Sequence, residues 1–130
     1  MDMKSNSEIV SDFLGAFLSG DVDHAKELIS PNFSFRAPMH TGVGDAQAYF
    51  GGAEAKARLI EDFRILRQWE DGGDVATIYE IDIRTDEGRA TLPMTEWHKV
   101  ADGKIQSTFM IFNPNSPAVR LMASALSHHA

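Results

Sequence analysis

The 130-residue sequence predicts an α+β fold, a cone-shaped, curved antiparallel sheet wrapped around about three N-terminal helices and followed by a short C-terminal helix. Three observations carry this reading. Apolar residues recur at helical spacing as far as Ile29. Three long runs after residue 73 alternate apolar and polar side chains, the period of a half-buried strand. Between those runs stand Glu87-Gly88 and Asp102-Gly103, and Asp-Gly tolerates the positive φ that a tight type I′ hairpin needs.

The elements follow in chain order. Residues 1–6 are polar and are expected to fray. Ser7 reads as an N-cap. Ile9, Val10, Phe13, Leu14, Phe17 and Leu18 then place a first helix over 8–19, stopped by Gly20. Asp21 caps a second helix, with Val22, Ala25, Leu28 and Ile29 on one face, ending before Pro31. Asn32 to Arg36 alternate as a short strand. Residues 37–52 are punctuated by Pro38, Gly42, Gly44, Gly51 and Gly52 and read as a loop, with room for a helical turn over 45–50 that points Tyr49 or Phe50 inward. A third helix over 53–63 rests on Ala57, Leu59, Ile60 and Phe63, followed by a strand over 64–70 and a turn at Asp71-Gly72-Gly73-Asp74. Strands over 74–85, 89–100 and 104–113 make a meander. Pro93 falls inside one of them, which points to an edge or a bulge. Pro114 and Pro117 end the sheet, and Ala118 to Leu126 make the last helix. The chain reads as one domain over 1–130.

Register set by the two turns pairs Tyr79 with Glu96, Thr77 with His98, Met94 with Ile111 and Glu96 with Phe109. One face of the meander is then mostly apolar and becomes the inner face. Thr77, Tyr79, Glu96, His98, Ser107 and Asn113 interrupt it. Glu96 and His98 lie two apart on one strand, so both point to the same side. Buried ionisable groups are costly unless paired. Glu96 and His98 are therefore a candidate acid/base pair, and Tyr79 a candidate polariser of a ligand carbonyl. Thr77, Met94, Ser107, Phe109 and Asn113 are candidate ligand-lining residues, with Arg36 and His40 at the pocket mouth. The same polar residues could equally satisfy one another as a structural network. On the opposite face Ile78, Trp97, Met110 and Phe112 would form an apolar patch of the kind that monomers seldom leave in water, a candidate homodimer interface.

Composition narrows the function classes. A net charge of −7 argues against nucleic acid or an anionic membrane as partner. With no cysteine, thiolate catalysis and Cys-ligated metal are excluded. His24 falls on a helix and His128 and His129 in the tail, with no helical His-x-x-x-His spacing, so no metal and no cofactor is expected. The polar Met1–Glu8 stretch lacks the apolar run of a signal peptide, which makes the cytoplasm the expected location.

Several short motifs carry a resemblance. These are Phe17-x-x-Gly20-Asp21, Leu28-Ile29-x-Pro31-Asn32-Phe33, Phe50-Gly51-Gly52-Ala53-Glu54-Ala55 and Gly73-Asp74-Val75-Ala76. To them are added Glu96-Trp97-x-x-Val100-x-Asp102-Gly103-Lys104-Ile105 and Phe112-Asn113-Pro114. In this order, over nearly the whole chain, the sequence resembles the nuclear transport factor 2-like superfamily. Within it the resemblance is to the SnoaL-like branch, which holds polyketide cyclases and is related to ketosteroid isomerases and limonene epoxide hydrolases. The resemblance implies a cone with a mainly apolar pocket for a small apolar molecule, cofactor-independent isomerase, cyclase, lyase or hydrolase chemistry, and a homodimer through the convex sheet face. It also marks departures. Asn113 stands where enzymes of the superfamily commonly place an acid, and Ser34 and Arg36 stand where ketosteroid isomerases carry their base. A non-catalytic binding or dimerisation module of the same fold is the alternative.

Overall fold

The computed structural model describes residues 4–127. Helix α1 (Asn6–Ser19) begins two residues earlier than its apolar spacing implies. Ser5, not Ser7, is the cap: its hydroxyl accepts from Glu8 N, and Glu8 Oε1 accepts from Ser5 N, both at 3.1 Å. Residues 1–3 of the segment expected to fray, and His128 and His129, lie outside the described residues. Gly20 ends α1 in the left-handed region, φ 87°. Helix α2 (Val22–Glu27) is capped by Asp21, and strand β1 (Ile29–Arg36) follows at once. A two-residue strand β2 (Gly44–Asp45) pairs with β1, and Asp45 caps the short helix α3 (Ala46–Phe50), which buries Tyr49 and Phe50.

The third predicted helix is cut short. Helix α4 (Ala53–Ala57) gives way to strand β3 (Ile60–Asp71), because Ile60, Phe63 and Ile65 find partners on strand β4 (Asp74–Thr85) and a long edge of backbone is hydrogen-bonded in return. Such pairing outweighs the weak preference of a short segment for helix. Strands β5 (Gly88–Ala101) and β6 (Lys104–Ile111) complete the meander, and helix α5 (Pro117–Ser127) closes the chain. The result is one curved, unclosed six-stranded sheet in the order β2-β1-β6-β5-β4-β3, with β1 parallel to β6. Buried Val10, Phe13 and Leu14 of α1 share one core with Val75, Tyr79, Ile83 and Ile105 of the sheet. Asp102 and Gly103 both take positive φ, 53° and 74°, as the expected hairpin requires. β6 ends opposite Thr95, so Pro93 sits where β5 has a ladder partner on the β4 side alone, and its missing N–H costs nothing.

Two register differences decide which residues line the interior. The β4–β5 loop is Asp86-Glu87, with Thr85 opposite Gly88, rather than Glu87-Gly88. That slip moves pairings by two residues, an even number, so every side chain keeps its face. Thr77 now faces Glu96, Val75 faces His98 and Tyr79 faces Met94. The second difference is odd. Val100 pairs with Ile105 as expected, but Lys99 pairs with Ser107, leaving Gln106 as the extra residue of a bulge. The Gln106 amide folds back to donate to the Ala101 and Lys104 carbonyls at 3.1 and 3.2 Å. One extra residue exchanges the two faces of everything beyond it. Thr108 and Met110 turn inward beside His98 and Glu96, while Ser107, Phe109 and Ile111 turn outward.

Candidate site inside the cone

Glu96 and His98 sit near the middle of β5, the strand flanked by β4 and β6 there, which is why both are almost wholly inaccessible: 1% and 0% exposed. The Tyr79 hydroxyl donates to Glu96 Oε2, and the Thr108 hydroxyl donates to Oε1 at 3.0 Å. Tyr79 and Glu96 meet diagonally, two residues off direct register. His98 Nε2 lies 3.3 Å from Glu96 Oε1, a charge contact without an aligned hydrogen bond. Burial alone would raise the Glu96 carboxyl. His98, Tyr79 and Thr108 together outweigh that and hold it below the ordinary carboxylate value, so the group is ionised.

Two residues that sequence reasoning left without a role belong to this cluster. Tyr49 of α3 is buried inside a ring of aromatics, with centroids of Phe17, Phe33, Phe35 and Phe50 at 4.8, 5.1, 5.2 and 5.3 Å. Its hydroxyl has no hydrogen-bond partner. Burial, and then the nearby charge of Glu96, push its phenol well above the usual range, and the Tyr79 phenol is raised by the same two causes. Both phenols therefore hold their protons. The sequence signal for Tyr49 was the helical turn over 45–50 that points it inward. Thr108 was hidden by the bulge, which nothing in the local sequence announces.

The other predicted site residues fall into two groups. Thr77 is fully buried and accepts from the Gln68 amide at 3.1 Å, and Met94 is buried opposite Tyr79. Ser107 and Phe109 lie on the outer face, and Asn113 is exposed beyond the end of β6, where its side chain accepts from Asn115 N at 3.0 Å. Arg36 does not reach Glu96; its guanidinium lies 4.3 Å from the Phe109 ring on the outside. The His40 ring lies tilted against Phe35, centroids 4.8 Å apart, over the close approach of Gly44, where a Cβ would fall 2.3 Å from Phe35 Cε1. On the convex face Ile78 and Trp97 stand as expected, with Trp97 43% exposed and its indole donating to Asp74 at 3.0 Å. Met110 and Phe112 are instead half-buried against the core, and the bulge replaces them outside with Phe109 and Ile111.

Among the described residues no group of three or more His, Cys, Asp or Glu is assembled to hold a metal ion, and no helix is long and apolar enough to cross a membrane. The arrangement is an ionised, fully buried carboxylate next to an imidazole, two neutral phenols and aromatic walls. It presents an imidazole and the free Tyr49 hydroxyl beside a buried negative charge.

Residues 10–108 match the family model described as a SnoaL-like domain. No curated protein matches the sequence. Among solved structures, an NTF2-like protein of unknown function from Cytophaga hutchinsonii is 24% identical, with a TM-score of 0.68 over 88% of this chain and 96% of its own. TerC, co-crystallised with polyporic acid, is 18% identical, with a TM-score of 0.71 over 91% and 98%. A Catenulispora acidiphila protein of ketosteroid isomerase-like fold, in complex with trimethylamine, is 14% identical, with a TM-score of 0.71 over 92% and 95%. At these identities the likeness is one of fold.

Proposed function

The chain belongs to the SnoaL-like domain family, and from that premise we propose that it binds a small apolar carbonyl compound inside the cone and moves a proton on it, as an isomerase, cyclase or lyase does. One observation carries this reading. His98 Nδ1 and the Tyr49 hydroxyl are buried with no partner, beside a carboxylate that already engages His98 Nε2 at 3.3 Å. Leaving such a group unpaired costs about 1–3 kcal/mol, so their grouping favours a ligand that completes them. TerC, of the same fold, is a case in which a small molecule was co-crystallised.

In this reading His98 is the acid and base. It takes a proton from the carbon next to the carbonyl and returns it to the same or a conjugated carbon. Glu96 is a positioning residue, 3.3 Å from Nε2, and its charge stabilises the imidazolium while it exists. Charge developing on the carbonyl oxygen accepts from the Tyr49 hydroxyl. The polariser role expected of Tyr79 passes to Tyr49, because Tyr79 spends its proton on Glu96. Two copies of the chain would meet through Ile78, Trp97, Phe109 and Ile111 on the convex face.

A second reading has its own support. Glu96 already receives two hydroxyl donors, as a purely structural carboxylate would. The test adds 2-tetralone, an apolar ketone, to protein with 15N-labelled histidine rings. The His98 nitrogens are expected to shift in a saturable way, and Tyr49→Phe to weaken the effect. Shifts confined to His24 and His40, or none, would favour the structural module.

A further inference from the structure

A groove of about 570 Å³ runs along the outer side of α3, between it and the junction of α2 with β1. It is distinct from the cone interior, since neither Glu96, His98 nor Tyr79 lines it. Its walls are apolar where Ile29, Pro31 and Phe50 stand, with Lys26 as the one charged side chain. Phe50 is the partition: inward it packs on Phe17 and Tyr49, and on the groove side the Lys26 ammonium stands 5.6 Å from its ring centroid. Among the described residues no carboxylate pairs with Lys26. Its neighbour Glu27 is turned towards the His24 ring at 3.5 Å. Ser30 contributes to the groove floor between Ile29 and Pro31, its side chain buried. An unpaired cation over an aromatic face, set among apolar walls, supplies the parts of a site for an anion with a hydrophobic body.

We propose that this groove binds an amphipathic organic anion, an aromatic carboxylate whose carboxylate pairs with Lys26 and whose ring lies against Phe50, Ile29 and Pro31. The exposed Gln47 amide is its further donor. The site is separate from the interior one and stands or falls without it.

The test titrates 1-naphthoate and the neutral 1-naphthalenemethanol into the full chain and follows backbone amide resonances. Naphthoate is expected to shift Lys26, Ala46, Gln47 and Gly51 saturably, and to bind more tightly than the alcohol. Lys26→Gln, at an exposed position, is expected to weaken naphthoate about two- to fivefold, the range one exposed ion pair supplies, and to leave the alcohol unchanged. Shifts confined to the convex face around Trp97, equal binding of acid and alcohol, or no effect of Lys26→Gln would each overturn the proposal.

Discussion

At the scale of single residues the account turns on Glu96. A carboxylate at 1% exposure persists because three groups favour its charge: the Tyr79 and Thr108 hydroxyls and the His98 ring. Tyr79→Phe deletes one hydrogen bond to a buried charge and leaves the ring in place. It is expected to cost about 1.5–3 kcal/mol in urea unfolding, and a change under about 0.5 kcal/mol would show that the bond carries no weight. The pH dependence follows from the directions of the shifts. Glu96 is held below its unfolded value of 4.5, so its contribution is whole above about pH 4.5 and is lost as pH falls through the folded value. The phenols of Tyr49 and Tyr79 are raised above 10.0, so theirs is whole below about pH 10 and is lost as pH rises beyond it. Urea midpoints measured against pH are expected to fall at both ends, and Glu96→Gln to flatten the acid limb. An acid limb as steep in Glu96→Gln as in the wild type would remove Glu96 from that role.

At the scale of elements the decisive feature is the bulge at Gln106. It predicts a contrast between neighbours. Thr108→Val removes a donor from Glu96 and is expected to cost about 1–3 kcal/mol, whereas Ser107→Ala on the outer face should stay within about 0.5 kcal/mol. Chemical unfolding of the two variants decides it, and the reverse order would restore the unbulged register. Much of the architecture was legible. Asp102-Gly103 announced its hairpin, β4 and β5 alternate cleanly, and Glu96, His98, Thr77 and Tyr79 could be put on one inner face. The slip at Asp86-Glu87 changed partners and not faces, so it did no harm to that list. The bulge was illegible because Gln106 has no special backbone demand, and a single unmarked insertion exchanged Ser107 and Phe109 for Thr108 and Met110. The start of β3 was misread for a different reason: Ala57, Leu59, Ile60 and Phe63 fit helical spacing, and only the waiting edge of β4 selects the strand. The turn over 45–50 points Tyr49 or Phe50 inward and in fact buries both, yet the unpaired Tyr49 hydroxyl becomes visible only when the aromatic ring around it is assembled.

At the scale of the whole molecule the convex face and the buried polar cluster matter. The convex face exposes Trp97 and Ile111 at 43% and 54%, beside Phe109 and Ile78. Apolar groups of this size standing together favour a second copy of the chain. Light scattering at micromolar concentration is expected to give twice the mass of 14.4 kDa, and Trp97→Glu to shift the mass towards the monomer; a monomeric wild type would contradict this. Within the cone, the role proposed for His98, backed by Glu96, is to transfer protons to and from carbon. The most direct measurement follows the loss of the α-proton signals of 2-tetralone in D2O by NMR, with and without the protein. The account predicts exchange faster than in buffer, abolished in His98→Gln and strongly reduced in Glu96→Gln, with both variants still folded. Exchange at the buffer rate with the wild-type chain, or undiminished exchange in folded His98→Gln, would contradict it.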